Sequence, residues 1–397
     1  MKAATRARPV LAALLAAGLL SCAGAPPTRP AAPLLAAQDE AAVRAAVARR
    51  AEAVATGDKD LFMSLIATGD PAFALERSRW FDYRLSAEID GYSLEVEDIR
   101  PEGPDECSVA LRLEYRIGPG REARATRFVE RYRRAAGTWL DADLRLVELA
   151  SEHFALGYQE GIDELRARTV LAYAESAWLA VRGSFGEAPA GRTRLKLYAD
   201  RELLRQDTKI TIGRLFSGWA EPGESIKLWL RPDPGYSYAP LVAHELVHAV
   251  TLEIAAGQCS WFAEGLANHF GNFAVAGADH LQSGYHSPAD YGRGLGWLGA
   301  TDPEAVASDA EWAVYGGMAG SAIRFLRERY GWRAPRLLLE ELGGSGAPRS
   351  EGYVYAKHDA RYRESLDEAL RKVLGVGPLE LEESWEDWLA LQPDRGR

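Results

Sequence analysis

The segment APLVAHELVHAVTLEIAA, residues 239–256, carries His244 and His248 four positions apart. On an α-helix, residues i and i+4 lie on one face, so both imidazoles can reach a single metal ion. Glu245, beside the first histidine, is placed to meet a water on that ion rather than the ion itself. A catalytic zinc needs a third protein ligand and an open fourth position. Fifteen residues separate His248 from Glu264, which stands in the segment Trp261-Phe-Ala-Glu-Gly-Leu-Ala267. The first helix is expected to stop near Gly257, the chain to turn back, and a second helix to present Glu264. His-Glu-x-x-His alone recurs by chance on many helices. The metal reading therefore rests on the second helix, an upstream strand and a secreted context taken together.

The remaining polar candidates are weaker. Asn268, four residues after Glu264, shares its helical face and can either hydrogen-bond a ligating histidine or be an ordinary polar helix residue. His269 points elsewhere, and His153 reads as structural. His280 and His286 fall in a Gly-rich stretch between Gly271 and Asp309 and read as exposed loop residues. Trp229 and Trp261 read as packing residues of the cleft wall.

These residues need a scaffold. Residues 151–392 begin with strand-like segments (152–158, 194–198, 226–230) around a helix at 161–182. Helices then follow near 239–256, 261–272, 311–330, 334–342, 364–374 and 379–391. Ahead of them, residues 39–56 and about 60–66 have helical spacing. The period then changes to alternation near 92–99, 107–117, 122–134 and 138–146, with Gly/Pro-rich turns between. Helices first, then an antiparallel meander, then a helix-rich half give an α+β fold of two units, 38–150 and 151–392. The chain of 397 residues has 47% hydrophobic and 26% charged residues, a globular composition. With 47 Lys and Arg against 57 Asp and Glu it carries a net charge of -10, which excludes the basic footprint of a nucleic-acid binder.

The His-Glu-x-x-His helix followed by Trp-Phe-x-Glu-Gly-x-Ala resembles the gluzincin metallopeptidases of the thermolysin-like clan. SEHFALGY at 151–158, YGGMAGSAIRFLRERYG at 315–331 and LEESWEDWLALQ at 381–392 fit the same resemblance, which covers essentially all of 151–392. It implies Zn²⁺ held by His244, His248 and Glu264, with Glu245 as general base. It also implies that the strand at 226–230 is a sheet edge that binds extended peptide. Tyr315 opens the helix that in such enzymes supplies a hydroxyl to the oxyanion; a core tyrosine is the alternative. No Gly-x-Met-Glu-Asn motif for a free α-amino group is present, which favours an endopeptidase acting on a peptide or protein. The competing reading is a non-catalytic envelope lipoprotein with a vestigial metal site, binding a partner or ligand through its first unit. Intact Glu245 argues against that reading. A zinc hydrolase of a non-peptide substrate stays open. ARRAEAVATGDKDLF at 48–62 and GTWLDADL at 137–144 resemble nuclear transport factor 2-like, cone-shaped domains, in which a curved sheet can enclose a pocket. No His/Asp pair converges there, so a structural or recognition role is expected of 38–150.

The first 22 residues read as a targeting segment. Lys2, Arg6 and Arg8 precede the apolar run of residues 10–20, which is short for a bilayer span, and Leu19-Leu20-Ser21-Cys22 resembles a bacterial lipobox. Cys22 would then carry lipid, and residues 23–37, rich in Pro and Ala, would form a tether. Ala23 rather than Asp after the cysteine favours the outer membrane, facing the periplasm. The alternative is an ordinary signal peptide cut near Ala23–Ala25. The other two cysteines, Cys107 and Cys259, are expected to be buried thiols. Cys22→Ser is expected to release the protein from membranes, because a stable lipid anchor has no second attachment point in this reading. Labelling with palmitate checks it: incorporation that survives the substitution contradicts the lipobox.

Overall fold

The structure is a computed structural model that describes residues 35–118, 120–186, 191–212, 216–233, 236–276, 293–306, 308–344 and 360–392. Cys22, His280 and His286 lie outside these residues.

The chain starts with α1 (Ala37–Thr56), which buries Val43, Ala46, Val47, Ala53 and Val54 along one stripe. Gly57, at φ 75°, ends it in the left-handed conformation that closes a helix. Asp58 caps α2 (Lys59–Met63), and Asp70 with Pro71 starts α3 (Pro71–Leu85). Four antiparallel strands follow in sequence order: β1 (Ile89–Gly103), β2 (Glu106–Ile117), β3 (Arg124–Ala135) and β4 (Thr138–Leu144). Alternation fixes which face is inside. On β2 it sends Val109, Leu111, Leu113 and Tyr115 into the core. Arg50 of α1 crosses that core to Glu130 (2.7 Å) and Asp141.

The second sheet has the order β5-β6-β7-β9-β8. Its members are β5 (Leu146–Ala150), β6 (Phe154–Gln159), β7 (Thr193–Tyr198), β8 (Gly218–Trp219) and β9 (Ile226–Trp229). β6, β7 and β9 are parallel, and the two outer strands are antiparallel to their neighbours. The long helix α4 (Glu164–Phe185) joins β6 to β7, and the short α5 (Arg201–Thr208) follows β7. Among the described residues the remaining elements are helical: α6 (Ala239–Ile254), α7 (Ser260–Ala276), α8 (Leu295–Ala300), α9 (Asp309–Tyr330), α10 (Ala334–Gly344), α11 (Ala360–Leu374) and α12 (Pro378–Ala390). The molecule is thus α+β, with an antiparallel sheet first and a largely helical second half, as the order of periodicities implies.

The second sheet begins at Leu146, where β5 pairs with β6 and not with β4. One expectation is corrected. The strand at Ile226–Trp229 is not an edge: β8 pairs along its outer side, so Gly218–Trp219 forms the edge nearest the later helices. A two-residue strand is too short to leave any periodicity in sequence.

The two sheets meet across a layer of buried charge. On β7 and β9 the residues Leu195, Leu197, Ile226 and Leu228 enter the core with α4 and α6, so Lys196 and Lys227 point to the opposite face. That face is covered by α3. Lys196 Nζ donates to Glu76 (2.8 Å) and Asp143 (2.8 Å), and Lys227 Nζ lies 3.7 Å from Glu76 and 3.1 Å from Glu224. Glu76 also accepts from the Ser225 backbone N–H and hydroxyl. Burial opposes ionisation of Glu76, but the Lys196 and Lys227 ammonium charges outweigh it and hold the carboxyl far below the usual range. Removing one member of a buried ion pair typically costs about 3–5 kcal/mol. Glu76→Gln is therefore expected to lower the unfolding free energy at pH 7 by about 3 kcal/mol or more. The folded-state pKa is depressed, so this stabilisation is complete above the unfolded carboxylate pKa and fades as pH falls below about 4. Denaturant titrations of wild type and variant from pH 7 to pH 3 check it. A gap that does not narrow in acid contradicts the assignment.

Candidate metal centre

Helix α6 starts with Pro240 in its first turn and packs Val242, Ala243, Leu246, Val247 and Val250 into the core. That packing fixes the helix's rotation and turns His244 and His248 together toward α7. The chain reverses over residues 255–259, and α7 runs back against α6 on Phe262, Leu266, Ala267 and Phe270. Across its other side lies α9, and Gly265 sets how close the two helices come. A Cβ there would sit 2.5 Å from the Ala319 carbonyl oxygen, so only glycine permits this approach. Glu264, its neighbour, is thereby presented to the two histidines.

The His244 and His248 Nε2 atoms are 3.2 Å apart. Each is 3.4 Å from an oxygen of the Glu264 carboxylate. Among the described residues, His244, His248 and Glu264 form a possible metal-binding triad, one ligand atom from each lying within 4.8 Å of the others. A tetrahedron built on bonds of about 2.0–2.1 Å has edges of about 3.3–3.4 Å, close to the three shortest separations. Two imidazoles and one carboxylate also match the donor set of an open, three-ligand site. His248 and Glu264 are buried, whereas the His244 side chain is 20% exposed toward the cleft.

Electrostatics hold the three together. Burial disfavours a charged Glu264, yet the facing His248 and His244 keep its carboxyl well below the ordinary range. Burial likewise disfavours a charged His244, and its pKa is nevertheless raised by the Glu264 hydrogen bond, the Glu245 charge and Asn268. Asn268 is thus placed where its sequence position allows: its side chain favours the charged form of His244 and donates to the Gly316 carbonyl of α9 (3.2 Å). It ties the histidine's orientation to a third helix.

Glu245 is 5% exposed and stands beside the triad without joining it. Two cavities, about 700 and 1080 Å³ of empty space, meet here and share Phe216, Gly218, His244, Glu245 and Trp312. Carboxylates of Glu221, Asp302 and Glu304 line one, and Arg201 and Arg231 line the other. The edge strand β8 passes directly over Glu245. A Cβ on Gly218 would lie 2.3 Å from the Glu245 Oε1, so a side chain at 218 would push the Glu245 carboxylate out of its present position.

Tyr315 is not brought into either cavity. It is fully buried, stacked on Trp312 (ring centroids 5.7 Å) and edge-on to Trp297 (6.0 Å), behind Glu264. Burial first, and then the Glu264 charge, push its hydroxyl pKa well above the usual value. Near the start of this helix Asp309 and Trp312 do reach the cleft, Trp312 one turn before Tyr315. Trp312 and Tyr315 share a helical face, and sequence alone does not tell which of them reaches the opening. The sequence reading also missed Gly218 and the carboxylates of Glu221, Asp302 and Glu304, which no motif marks. His153 hydrogen-bonds Glu175 (2.6 Å) and stacks on Trp178, a structural role. His269 is buried against Phe270, outside the triad. Trp261 is buried, and Trp229 packs beneath Arg201 and Arg231. Cys107 and Cys259 are separate buried thiols, each pushed up to about 12 by burial.

No known protein family matches the chain in a family-by-family comparison, and no curated protein matches it either.

Tyr315→Phe keeps the ring stack and removes a hydroxyl that does not face the cleft, so metal content should be unchanged and any kcat should stay within about twofold. A loss of about 10²-fold, as for an oxyanion donor, would place the hydroxyl in the reaction after all.

Proposed function

We propose that the protein is a zinc-dependent peptidase acting as an endopeptidase at the bacterial cell envelope. One observation carries the reading. His244, His248 and Glu264 converge as a ligand set, while Glu245 stands beside them, outside that set, at the floor of a cleft bordered by a sheet edge. A structural zinc site fills its coordination with protein atoms and has no use for an adjacent carboxylate facing an opening.

His244, His248 and Glu264 would hold the ion, and Asn268 would keep the His244 ring in register. The ion, when bound, would supply Lewis acidity, polarising a carbonyl and lowering the pKa of water toward about 7. Glu245 takes the proton of the attacking water at its carboxylate and returns it to the departing amine nitrogen. The side of β8 that pairs with no other strand among the described residues supports an extended peptide as substrate, bound by strand addition across the cleft. The cell-envelope assignment rests on the lipobox resemblance at Cys22.

Glu245→Gln keeps size and hydrogen-bonding shape but not the proton-handling carboxylate. It is expected to bind zinc as wild type does and to lose roughly 10²–10⁴-fold in hydrolysis. Digestion of an unbiased peptide library by the protein from Gln38 onward, beside this variant, tests the proposal. Turnover retained by the zinc-replete variant would show that the chemistry is not the one described.

A further inference from the structure

The edge strand β8 has only two residues, Gly218 and Trp219, paired with Leu228 and Lys227. So short a ladder cannot fix its own position. What does fix it lies at its two ends, and both ends are fastened to the first unit.

On the upstream side, the chain leaves β7 at Tyr198 and crosses to the β1–β4 sheet before returning as β8. Thr126 of β3 donates to the α5 N-cap Asp200 (2.8 Å), and the Tyr115 hydroxyl of β2 donates to Glu202 (3.2 Å). From α3, Trp80 Nε1 donates to the Gln206 carbonyl and Arg77 pairs with Asp207 (2.6 Å). Arg124 donates to the Ile212 carbonyl (3.2 Å). Leu203, Leu204, Ile210, Ile212 and Phe216 belong to the same apolar core as Val109, Leu111, Leu113 and Phe128 of the first sheet. On the downstream side, Arg79 of α3 donates to the Pro222 carbonyl (2.8 Å) and pairs with Glu224 (2.8 Å). The hollow of the first sheet is therefore filled by the segment that becomes the cleft wall. An eight-residue helix such as α5 has little stability of its own, so its order depends on this seat.

We infer that the first unit is a positioning device for the catalytic cleft: by gripping residues 200–212 and 222–224 it holds β8 over Glu245 at the register a bound peptide must pair with. Thr126, Tyr115 and Arg79 are positioning residues, acting through β8 without touching the triad. The consequence for substrate binding rests on the peptidase reading; the consequence for β8 does not.

The test uses the whole chain with two variants, Tyr115→Phe/Thr126→Val, which keeps the ring packing of the core, and Arg79→Met, which gives up the buried pair with Glu224, both read by hydrogen exchange and by kinetics. Exchange at 216–221 should quicken by about tenfold in each, with α6 and α7 exchanging as in wild type and zinc content unchanged. KM for a library-derived peptide should rise by about fivefold or more, with kcat within about twofold. Wild-type exchange at 216–221 in both variants overturns the inference, and so does faster exchange spread through α6 and α7, which a merely structural role would give. A wild-type protein that cleaves no peptide removes the peptidase reading and leaves the exchange result to decide the clamp.

Discussion

Two imidazoles, one of them partly open to the cleft, and a buried carboxylate within 3.4 Å of one another form the constraint on which the rest of this structure depends. Polar groups taken out of water at that density are costly unless each is satisfied. Their convergence is imposed from outside, by apolar packing that leaves the helices no other rotation. Helix α7 lies between α6 and α9, close to α9 because Gly265 has no side chain, and Asn268 links His244 to the α9 backbone. A divalent cation would convert this imposed cost into binding energy.

The second constraint concerns the cleft wall. A metal centre at the floor of an open groove can act on a peptide only if something sets the peptide's height and register. Gly218 permits the edge strand to lie over Glu245 without displacing its carboxylate, and the first unit provides the two points from which that strand is hung. Seen this way, the buried lysines of β7 and β9 do more than join two domains. Lys196 and Lys227 meet Glu76 on the face of the second sheet turned toward α3, the helix that also carries Arg77, Trp80 and Arg79.

Much of this was legible in sequence where the signal is local. The i, i+4 histidines, the glutamate helix after them and the polar position at Asn268 are all short-range patterns, and helices α4, α6, α7 and α9 begin and end within a few residues of where periodicity puts them. The unreadable parts are long-range or very short. Lys196 and Lys227 alternate with leucine and isoleucine as a solvent face would; only the fold shows that a helix more than a hundred residues earlier covers them. β8 has no period to read, so the role of sheet edge fell to its neighbour β9. Tyr315 and Trp312 share one face, and which of them meets the cleft depends on how α9 tilts over Glu264.

The central claim is that one zinc ion on His244, His248 and Glu264 makes this chain a peptidase. The most direct test strips the protein with a chelator and titrates zinc back while following cleavage of one peptide. The account predicts no cleavage without metal and a linear rise that levels off at one equivalent per chain. Cleavage by the stripped protein, or full zinc binding at the triad that restores none, would contradict it.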